Sequence, residues 1–535
     1  MIKKDELFET GDQERIWQKY CGFLDLSLQE FMEIQEQLLM EQIDLVYDSP
    51  LAKKFMPRKP KDISEFRQLV PLTTYEDYAP YFEEKNEDIL SEKPCQWAHT
   101  SGRGGSFKWA PYTQRFYERM ASCMITGLIL ALATKKGEVN LTGKERILHN
   151  LPPRPYLSGI AIKATAEQLN FRFVPPLELS EAMEFQERIE AGFKEALRTG
   201  VDIFGSLSSI LVKVGESFID KSQGMKLSSS LLYPPTALRL AKAILRSKLE
   251  KRAMLPRDLW PIKAIMASGI DTDIYKDKIT YYWGKAPYEY YACTEGGFVA
   301  LQTWSKKAMV FIPYSDFLEF IPEEEWIESR KNKDYHPSTI LLNEVKEGER
   351  YEIVITNFYG DPFLRYRLGD LIKIVALEDQ ESGVKLPQMV FESRADDLID
   401  IASFTRLDEK TIWQAINNIG IKYEEWTIRK EYSENKPILR LYIELKEEKD
   451  IQEVERLIHD ELKILDSDYH DLERILGFNS LKVTPLSEGT FKRYYQEKQA
   501  AGFDLAHLKP PHVNAFDNAI EDILRLGSEQ NRKST

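Results

Sequence analysis

The sequence contains little cysteine, no long apolar run and no excess of positive charge. Four cysteines, Cys21, Cys95, Cys123 and Cys293, occur among 535 residues. They are sparse and show no CxxC spacing, so the sequence predicts neither a zinc site nor a disulfide framework. A formal net charge of −14 argues against a nucleic-acid partner, because binding to a polyanion depends on clustered cations.

Membrane and hydrolase signals are missing as well. The first residues, MIKKDELFETGDQER, lack the apolar core of a signal peptide, and the longest mildly apolar run, residues 121–134, is shorter than a membrane span. The seven histidines show no HExxH spacing, and the sequence has no GxSxG elbow. We therefore expect a cytoplasmic protein with no membrane partner.

The composition that remains is that of a soluble globular protein of the α/β class. A chain of 535 residues is too long for one ordinary domain, so we predict two. Alternating strands and helices predict an α/β core, and residues 309–321 and 351–375 predict an antiparallel β subdomain. Together they form a large N-terminal domain, residues 1–395, followed by a small α+β domain, residues 396–535.

One stretch is unusually rich in glycine and hydroxyl groups. Residues 98–113 read AHTSGRGGSFKWAPYT, and residues 100–106 within them contain three glycines and three hydroxyls, with Lys108 just beyond. Backbone N–H groups of such a stretch can approach a phosphate, although many Gly/Ser clusters are plain loops. A helix predicted over residues 115–134 would place the stretch at a helix N-terminus, which favours anions. The stretch is not a Walker loop, because the spacing GxxxxGK[ST] is absent.

Two further groups of residues could bind parts of a nucleotide. Thr294 and Glu295 follow a predicted strand that ends at Tyr291, and they could supply a hydroxyl for phosphate and a carboxylate for a divalent cation. The alternative is an exposed turn. Asp370 follows Gly369 and could accept hydrogen bonds from vicinal ribose hydroxyls. The alternative there is an arginine–aspartate pair that caps a turn.

The C-terminal region has a lysine in an unusual setting. Lys509 lies beside two prolines and a histidine, so it cannot belong to a long regular helix. It could be presented to the other domain, or it could be an ordinary solvated lysine.

Seven short segments, taken in order, resemble the adenylate-forming superfamily, and more closely its Gretchen Hagen branch of acyl-acid amido synthetases. The segments are YEDYAPYF (75–82), TSGRGGSFK (100–108), LWP (259–261), YACTEGG (291–297), DFLEFIP (316–322), RYRLGD (365–370) and GTF (489–491). Each is a weak match alone, but their shared order over nearly the whole chain makes the resemblance specific.

The resemblance implies how the large domain binds ATP and Mg²⁺. Residues of the glycine-rich stretch would hold the ATP phosphates: Ser101, Gly102, Arg103, Gly104, Gly105 and Lys108. Tyr291 would face the adenine, Thr294 would contact the α-phosphate, and Glu295 would bind magnesium. Asp370 would bind the ribose hydroxyls.

The resemblance also implies a swinging C-terminal domain. Arg394 matches an arginine near the domain junction, and Asp396 matches the hinge. Lys509, in HLKPPHV, matches a lysine that reaches the active site during adenylation.

The chain departs from the family pattern at three positions. Arg103 replaces a threonine or serine of the phosphate loop, and it could bind phosphate or crowd the site. Ser403 replaces a glycine found in many CoA ligases, which weakens a CoA-ligase interpretation. His512 replaces the arginine of the C-terminal motif.

The function implied is activation of a small carboxylic acid through an acyl-adenylate, followed by transfer to an amine to form an amide. Alternatives are an acyl-CoA ligase, a synthetase that loads a carrier-protein thiol, and a catalytically silent nucleotide-binding scaffold. Residues 124–130 and 204–209 are candidates for the walls of the acid pocket.

Overall fold

The chain folds into two compact units, Met1–Phe391 and Glu392–Thr535, in a computed structural model. The structure describes residues 4–533, with gaps at 101–107, 223–233, 269–271, 333, 395–397, 402–404, 434–435, 467–468, 471–478, 502–511 and 516. The division falls close to the predicted junction. The roles assigned to the two domains stay predictions.

The first unit contains helices throughout its length. They are α1 (Leu7–Thr10), α2 (Gln13–Cys21), α3 (Leu28–Val46), α4 (Ala52–Phe55), α5 (Ile63–Leu69), α6 (Tyr75–Phe82), α7 (Gln114–Leu132), α8 (Leu157–Gln168), α9 (Leu177–Ser180), α10 (Phe185–Thr199), α11 (Ser208–Ser222), α12 (Pro234–Leu249), α13 (Pro256–Leu259), α14 (Thr272–Trp283) and α15 (Glu323–Lys331). Short 3₁₀ turns occur at Gly22–Asp25, Glu87–Ile89 and Leu342–Glu344.

The strands of the first unit are β1 (Gln96–Thr100), β2 (Lys108–Tyr112), β3 (Arg146–His149), β4 (Arg172–Val174), β5 (Ile203–Leu207), β6 (Ala264–Ser268), β7 (Pro287–Cys293), β8 (Gly297–Gln302), β9 (Met309–Phe311), β10 (Asp316–Pro322), β11 (Arg350–Asn357), β12 (Tyr366–Ala376) and β13 (Gln388–Arg394), of which β13 begins in the first unit and ends in the second.

Eleven of these strands form one sheet in the order β10-β11-β12-β13-β9-β8-β7-β6-β5-β3-β4. The pairs from β4 to β7 are parallel, whereas β7 pairs with β8, and β8 with β9, in the antiparallel sense. The predicted α/β class is confirmed. The predicted antiparallel strands continue the same sheet, and β7 is the strand at which the sheet changes from parallel to antiparallel.

The glycine-rich stretch is bordered by a hairpin and not by a helix. Strands β1 and β2 pair in antiparallel fashion, and Thr100 lies opposite Lys108. The next helix, α7, begins at Gln114, where the N-cap hydroxyl of Thr113 accepts from the Phe116 amide. The expected position at a helix N-terminus is therefore wrong, because Lys108–Tyr112 forms a strand first. Residues 101–107 themselves lie outside the described residues.

The longest apolar run of the sequence is a core helix. Most of α7 is buried, and Ile125, Leu128 and Ile129 belong to the main hydrophobic cluster of the first unit. Burial of such side chains stabilises a fold by about 1.5 to 3 kcal/mol each. Among the described residues, no helix is both long enough and apolar enough to cross a membrane.

Gly159 lies in a helix and has close backbone neighbours. It lies within α8, where an added Cβ would be 2.3 Å from the Pro153 carbonyl carbon. Glycine at this position therefore permits the helix to approach the preceding proline segment closely.

The second unit is a small α+β fold. Its elements are β14 (Ile399–Ile401), β15 (Thr405–Leu407), α16 (Glu409–Asn418), β16 (Tyr423–Ser433), β17 (Lys436–Leu445), α17 (Ile451–Leu465), β18 (Leu481–Leu486), α18 (Thr490–Ala500) and α19 (Asp517–Lys533). Strands β16, β17 and β18 form a sheet in that order, and β17 and β18 are parallel.

Candidate active site

Two of the sequence motifs are joined by reciprocal hydrogen bonds in the first unit. The Tyr291 hydroxyl, from YACTEGG, donates to the Asp370 carboxylate of RYRLGD at 2.7 Å. The Tyr366 hydroxyl, from RYRLGD, donates to the Glu295 carboxylate of YACTEGG at 3.0 Å. Each motif thus supplies a phenol that positions the carboxylate of the other.

The phenol that holds Glu295 stays protonated. Burial, together with the negative charge and hydrogen bond of Glu295, raises the pKa of Tyr366 well above its ordinary value. A neutral phenol orients a carboxylate through a hydrogen bond but does not cancel its charge. The hydrogen bond from Tyr366 therefore orients the Glu295 carboxylate and leaves it available to a cation.

Asp370 lies within a bulge in β12. Glu352 of β11 lies opposite Leu371, but Val354 lies opposite Arg367, so β12 contains two extra residues between these pairs. Gly369 has a φ of 68°, a left-handed conformation that favours glycine. The predicted turn at Gly369 is thus an irregularity inside a strand, which re-aims the side chain that follows.

Gly296 is required by its close neighbours. A Cβ at this position would lie 2.8 Å from the Ile355 Cδ1 atom and 3.0 Å from an Asp316 carboxylate oxygen. Real Cβ atoms do not approach this closely without displacing something. The small residue after Glu295 allows the turn between β7 and β8 to pack directly on β10 and β11.

The backbone around Glu295 is fixed by buried polar groups. Asn357 donates from Nδ2 to the Glu295 carbonyl at 2.8 Å and to the Asp316 carboxylate at 2.9 Å. Burial raises the pKa of Asp316 well above its ordinary value. The Tyr112 hydroxyl, from β2, donates to the Thr294 carbonyl at 2.6 Å. The β7–β8 turn is therefore attached both to the antiparallel half of the sheet and to the hairpin.

Lys108 and Glu295 both lie near Tyr75. The Lys108 Nζ atom is 5.2 Å from the centre of the Tyr75 ring, whose hydroxyl accepts from the Trp109 amide at 2.6 Å. Burial, with a smaller contribution from the Glu295 charge, raises the pKa of Tyr75 to about 12. Tyr75 thus contacts strand β2 through both the Lys108 side chain and the Trp109 amide.

The two arginines of RYRLGD bind other carboxylates. Arg365 forms a buried ion pair with Glu319 at 2.9 Å, and Arg367 pairs with Glu352 at 2.6 Å. Arg365 also donates to the carbonyls of Arg67 and Val70. These pairs hold β10, β11 and β12 together.

The structure brings together some predicted site residues and does not describe others. Tyr291, Thr294, Glu295 and Asp370 lie along β7, the turn after it and β12, and Lys108 lies nearby. Seven predicted residues lie outside the described residues: Ser101, Gly102, Arg103, Gly104, Gly105, Asp396 and Lys509. Arg394 is the exposed last residue of β13. The roles assigned to all of them stay predictions.

Sequence reasoning missed the residues that support the carboxylates. Tyr366 lies inside RYRLGD, so the motif itself was a signal that could have drawn attention to this residue. Asn357 and Tyr112 had no local signal, because each acts on a residue distant in the sequence.

An apolar cavity lies between α7 and the parallel strands. Its lining includes Met124 and Leu128 of α7, Gly205 of β5, Tyr290 of β7 and His149 of β3. Full burial lowers the pKa of His149 to about 4, so the imidazole is neutral. Both segments expected to form a pocket contribute to this lining.

Two regions of the chain match domains of one protein family. Residues 22–167 match the GH3 family N-terminal domain, and residues 309–394 match the GH3 family central domain. The second region includes β12, with Tyr366 and Asp370.

Relatives of known function share limited identity with the chain. It is 26% identical over 301 residues to a jasmonoyl-L-amino acid synthetase of Oryza sativa subsp. japonica, covering 52% of this chain and 50% of that protein. It is 23% identical over 491 residues to an indole-3-acetic acid-amido synthetase of Arabidopsis thaliana, covering 79% and 86%. The alignment therefore spans half the length of the first relative and most of the second.

Solved structures share the fold. A GH3.15 acyl acid amido synthetase superimposes with a TM-score of 0.70 at 18% identity, over 98% of this chain and 97% of that one. A 2-hydroxyisobutyryl-CoA ligase superimposes with a TM-score of 0.58 at 14% identity, over 95% and 94%. Both matches extend over both units. Matches to the N-terminal and central domains of the GH3 family, in that order along the chain, confirm the Gretchen Hagen resemblance that the sequence motifs indicated.

Proposed function

We propose that this protein activates a carboxylic acid with ATP and transfers the acyl group to an amine, forming an amide. The observation that carries the proposal is the pair of hydrogen bonds that join YACTEGG to RYRLGD. They bring together the carboxylate proposed for magnesium and the carboxylate proposed for ribose. The named functions of the GH3 relatives support the same chemistry.

The described residues fit a magnesium ion that is bound mainly through the substrate. Mg²⁺ usually takes one or two protein carboxylates and completes its shell with phosphate oxygens and water. Glu295, oriented by the neutral Tyr366 phenol, would be the protein ligand. Among the residues that the structure describes, no group of three or more His, Cys, Asp or Glu side chains could hold a metal alone. When bound, the ion would neutralise phosphate charge.

In the proposed first step, a carboxylate oxygen of the acid attacks the α-phosphorus of ATP. The bond between the α-phosphorus and the oxygen that bridges to the β-phosphate breaks. Pyrophosphate leaves, and the product is an acyl-adenylate. Because both reactants are anions, this step needs positive charge that is already in place. Lys108 and Lys509 are the proposed sources, together with Arg103 and the amides of residues 101–105. Asp370 would hold the ribose so that the α-phosphate is in reach.

In the proposed second step, the amine nitrogen attacks the acyl carbon. AMP leaves, and the nitrogen loses a proton to give the amide. Asp396 would be the hinge about which the second unit moves between the two steps, with Arg394 close to it in sequence.

The cavity supports an acid with an uncharged, apolar body. Aliphatic side chains, Tyr290 and the neutral His149 dominate its lining, so a second ionised group on the acid would be buried without a partner.

Acid-dependent exchange of labelled pyrophosphate into ATP tests the first step. A panel of aromatic and aliphatic monocarboxylic acids should reveal exchange with some members and none without acid. Accepting acids should then be supplied with amino acids, CoA or a carrier-protein thiol. An amide product supports the proposal, and a thioester alone would replace it with a ligase of the CoA or carrier type. Absence of exchange with every acid would indicate a silent nucleotide-binding scaffold.

A further inference from the structure

One histidine of the second unit contacts two carboxylates at once. His512 is fully buried, and its Nδ1 atom lies 2.5 Å from a Glu409 carboxylate oxygen. Its Nε2 atom lies 2.8 Å from a Glu425 carboxylate oxygen. A neutral imidazole has one N–H donor only, whereas both contacts require a donor. The geometry is therefore that of an imidazolium between two carboxylates.

The surroundings favour the charged ring. Glu409 is the first residue of α16, where the helix dipole stabilises negative charge, and Glu425 lies on β16. Tyr495 of α18 donates to the second oxygen of Glu425 at 3.0 Å. The His512 ring stacks on Trp426 with 4.4 Å between ring centres and 10° between planes, an arrangement that suits a cation over an aromatic face.

The backbone around His512 pairs with strand β16. The Ile428 amide donates to the His512 carbonyl at 2.6 Å, and the Asn514 amide donates to the Ile428 carbonyl at 2.9 Å. Val513 thus forms a parallel bridge with Ile428. Residues 512–514 extend the sheet beside β16. The imidazolium contacts of His512 with Glu409 and Glu425 hold the first of these residues in place.

Lys509 precedes this attachment by three residues. Three residues of extended chain span at most about 10 Å, so the attachment limits where the lysine can reach. We propose that His512 is a positioning residue. As an imidazolium between Glu409 and Glu425, it fixes the chain onto β16, and this attachment lies just after Lys509 in the sequence. The functional consequence rests on the proposed role of Lys509 in acyl-adenylate formation.

The attachment depends on pH in a defined direction. The charges of Glu425 and Glu409 outweigh the effect of burial and raise the pKa of His512 from its ordinary value to about 9. A raised pKa means that the stabilisation is complete below the unfolded value near 6.5 and is lost as pH rises through the folded value. The attachment should therefore hold at neutral pH and loosen between about pH 8 and pH 10.

Three variants test the proposal. His512→Gln removes the charge, and His512→Arg keeps a charge that does not titrate in this range. His459→Gln is the matched control, because His459 is also buried in the second unit but bonds to Tyr469. We expect His512→Gln to slow acid-dependent pyrophosphate exchange by about ten- to a hundredfold, since small misplacements of a reacting group have effects of this size. Transfer from preformed acyl-adenylate to an amine should fall by less than about threefold, since the lysine acts in the first step.

The arginine variant gives the sharper result. His512→Arg should restore exchange near pH 7.5, and it should abolish the decline that the parent protein shows between about pH 8 and pH 10. Unchanged exchange in His512→Gln would overturn the proposal. An equal loss in both steps would also overturn it, because that is the effect of a merely structural histidine.

A measurement without substrate separates this inference from the proposed function. The full chain should be labelled with ¹³C in its histidine rings and titrated by NMR. The His512 signal, assigned by its absence in His512→Gln, should titrate near pH 9. The protection factor of the Ile428 amide, which corrects for the intrinsic rise of hydrogen exchange with pH, should fall over the same range, and also in His512→Gln at pH 7.5. If the parent protein shows no pyrophosphate exchange but both signatures occur, the attachment stands and the proposed function fails. A His512 signal that titrates near 6.5, or an unaltered protection factor at Ile428, rejects the attachment itself.

Discussion

RYRLGD contacts carboxylates in two ways. Its arginines form ion pairs that support the fold, whereas its tyrosine positions a carboxylate of the candidate active site. Its arginines neutralise Glu319 and Glu352, both almost fully buried, within the antiparallel half of the sheet. Its tyrosine instead orients Glu295, which is only partly buried, through a neutral phenol. An arginine pair cancels charge and fastens strands, whereas a phenol positions a carboxylate and leaves its charge for a ligand.

The largest expected contrast is between Glu295 and Glu319. Glu295→Gln should lower the rate of acid-dependent pyrophosphate exchange by about a hundredfold or more, because several kcal/mol of metal-mediated stabilisation would be lost. The melting temperature should hardly change, since an amide oxygen can still accept from Tyr366.

Glu319→Gln should do the reverse and destabilise the fold by about 3 to 5 kcal/mol, because it leaves Arg365 buried without its charge partner. Denaturant unfolding measures this change. If Glu319→Gln proved as stable as the parent, or Glu295→Gln proved as active, the contrast between the two carboxylates would be lost.

The next effect concerns Asp370 and the ribose. Asp370→Asn should raise the KM for ATP by about ten- to a hundredfold, since hydrogen bonds to a charged acceptor contribute about 1.5 to 3 kcal/mol. The comparison of ATP with 3′-deoxy-ATP sharpens the test. The parent protein should discriminate between the two nucleotides, and the variant should discriminate much less. Equal discrimination in both proteins would assign Asp370 a structural role only.

A smaller effect is expected when a phenol is removed. Tyr366→Phe should reduce exchange by about tenfold and cost about 1 kcal/mol of stability, since it deletes one hydrogen bond to Glu295. Tyr288→Phe is the control, because the buried Tyr288 hydroxyl donates to the Gln302 carbonyl and to no carboxylate. Similar activity losses in the two variants would show that the Tyr366 hydrogen bond has no special role.

The smallest effect is steric. Gly296→Ala should destabilise the protein by about 1 to 3 kcal/mol, since its Cβ would overlap Ile355. At Gly205 a Cβ would meet only the Leu151 Cδ1 atom, at 3.8 Å, so Gly205→Ala should change stability less. Thermal unfolding of the two variants measures the difference.

The sequence was most informative where local pattern determines structure. The apolar run predicted α7, and the alternation of strands and helices predicted the α/β class, because apolar residues at helical or strand spacing must pack against a core. The glycine-rich stretch, YACTEGG and RYRLGD were located by their residues alone. That Glu295 and Asp370 lie together followed from the resemblance, and the structure gives its physical basis in two tyrosine hydroxyls.

The sequence was least informative where tertiary contacts decide. Lys108–Tyr112 became a strand because it pairs with β1, so the glycine-rich stretch does not lead directly into α7. The bulge at Gly369 and the support of Glu295 by Asn357 join residues far apart in sequence, which no local pattern reveals.

Isotope transfer tests the central claim most directly. An accepted acid labelled with ¹⁸O in both carboxylate oxygens should be incubated with ATP, Mg²⁺ and an amine, and the products should be analysed by mass spectrometry. Attack of the carboxylate on the α-phosphorus predicts one ¹⁸O atom in AMP and none in pyrophosphate. Label in inorganic phosphate with release of ADP, or unlabelled AMP, would contradict acyl-adenylate formation at the Glu295 and Asp370 site.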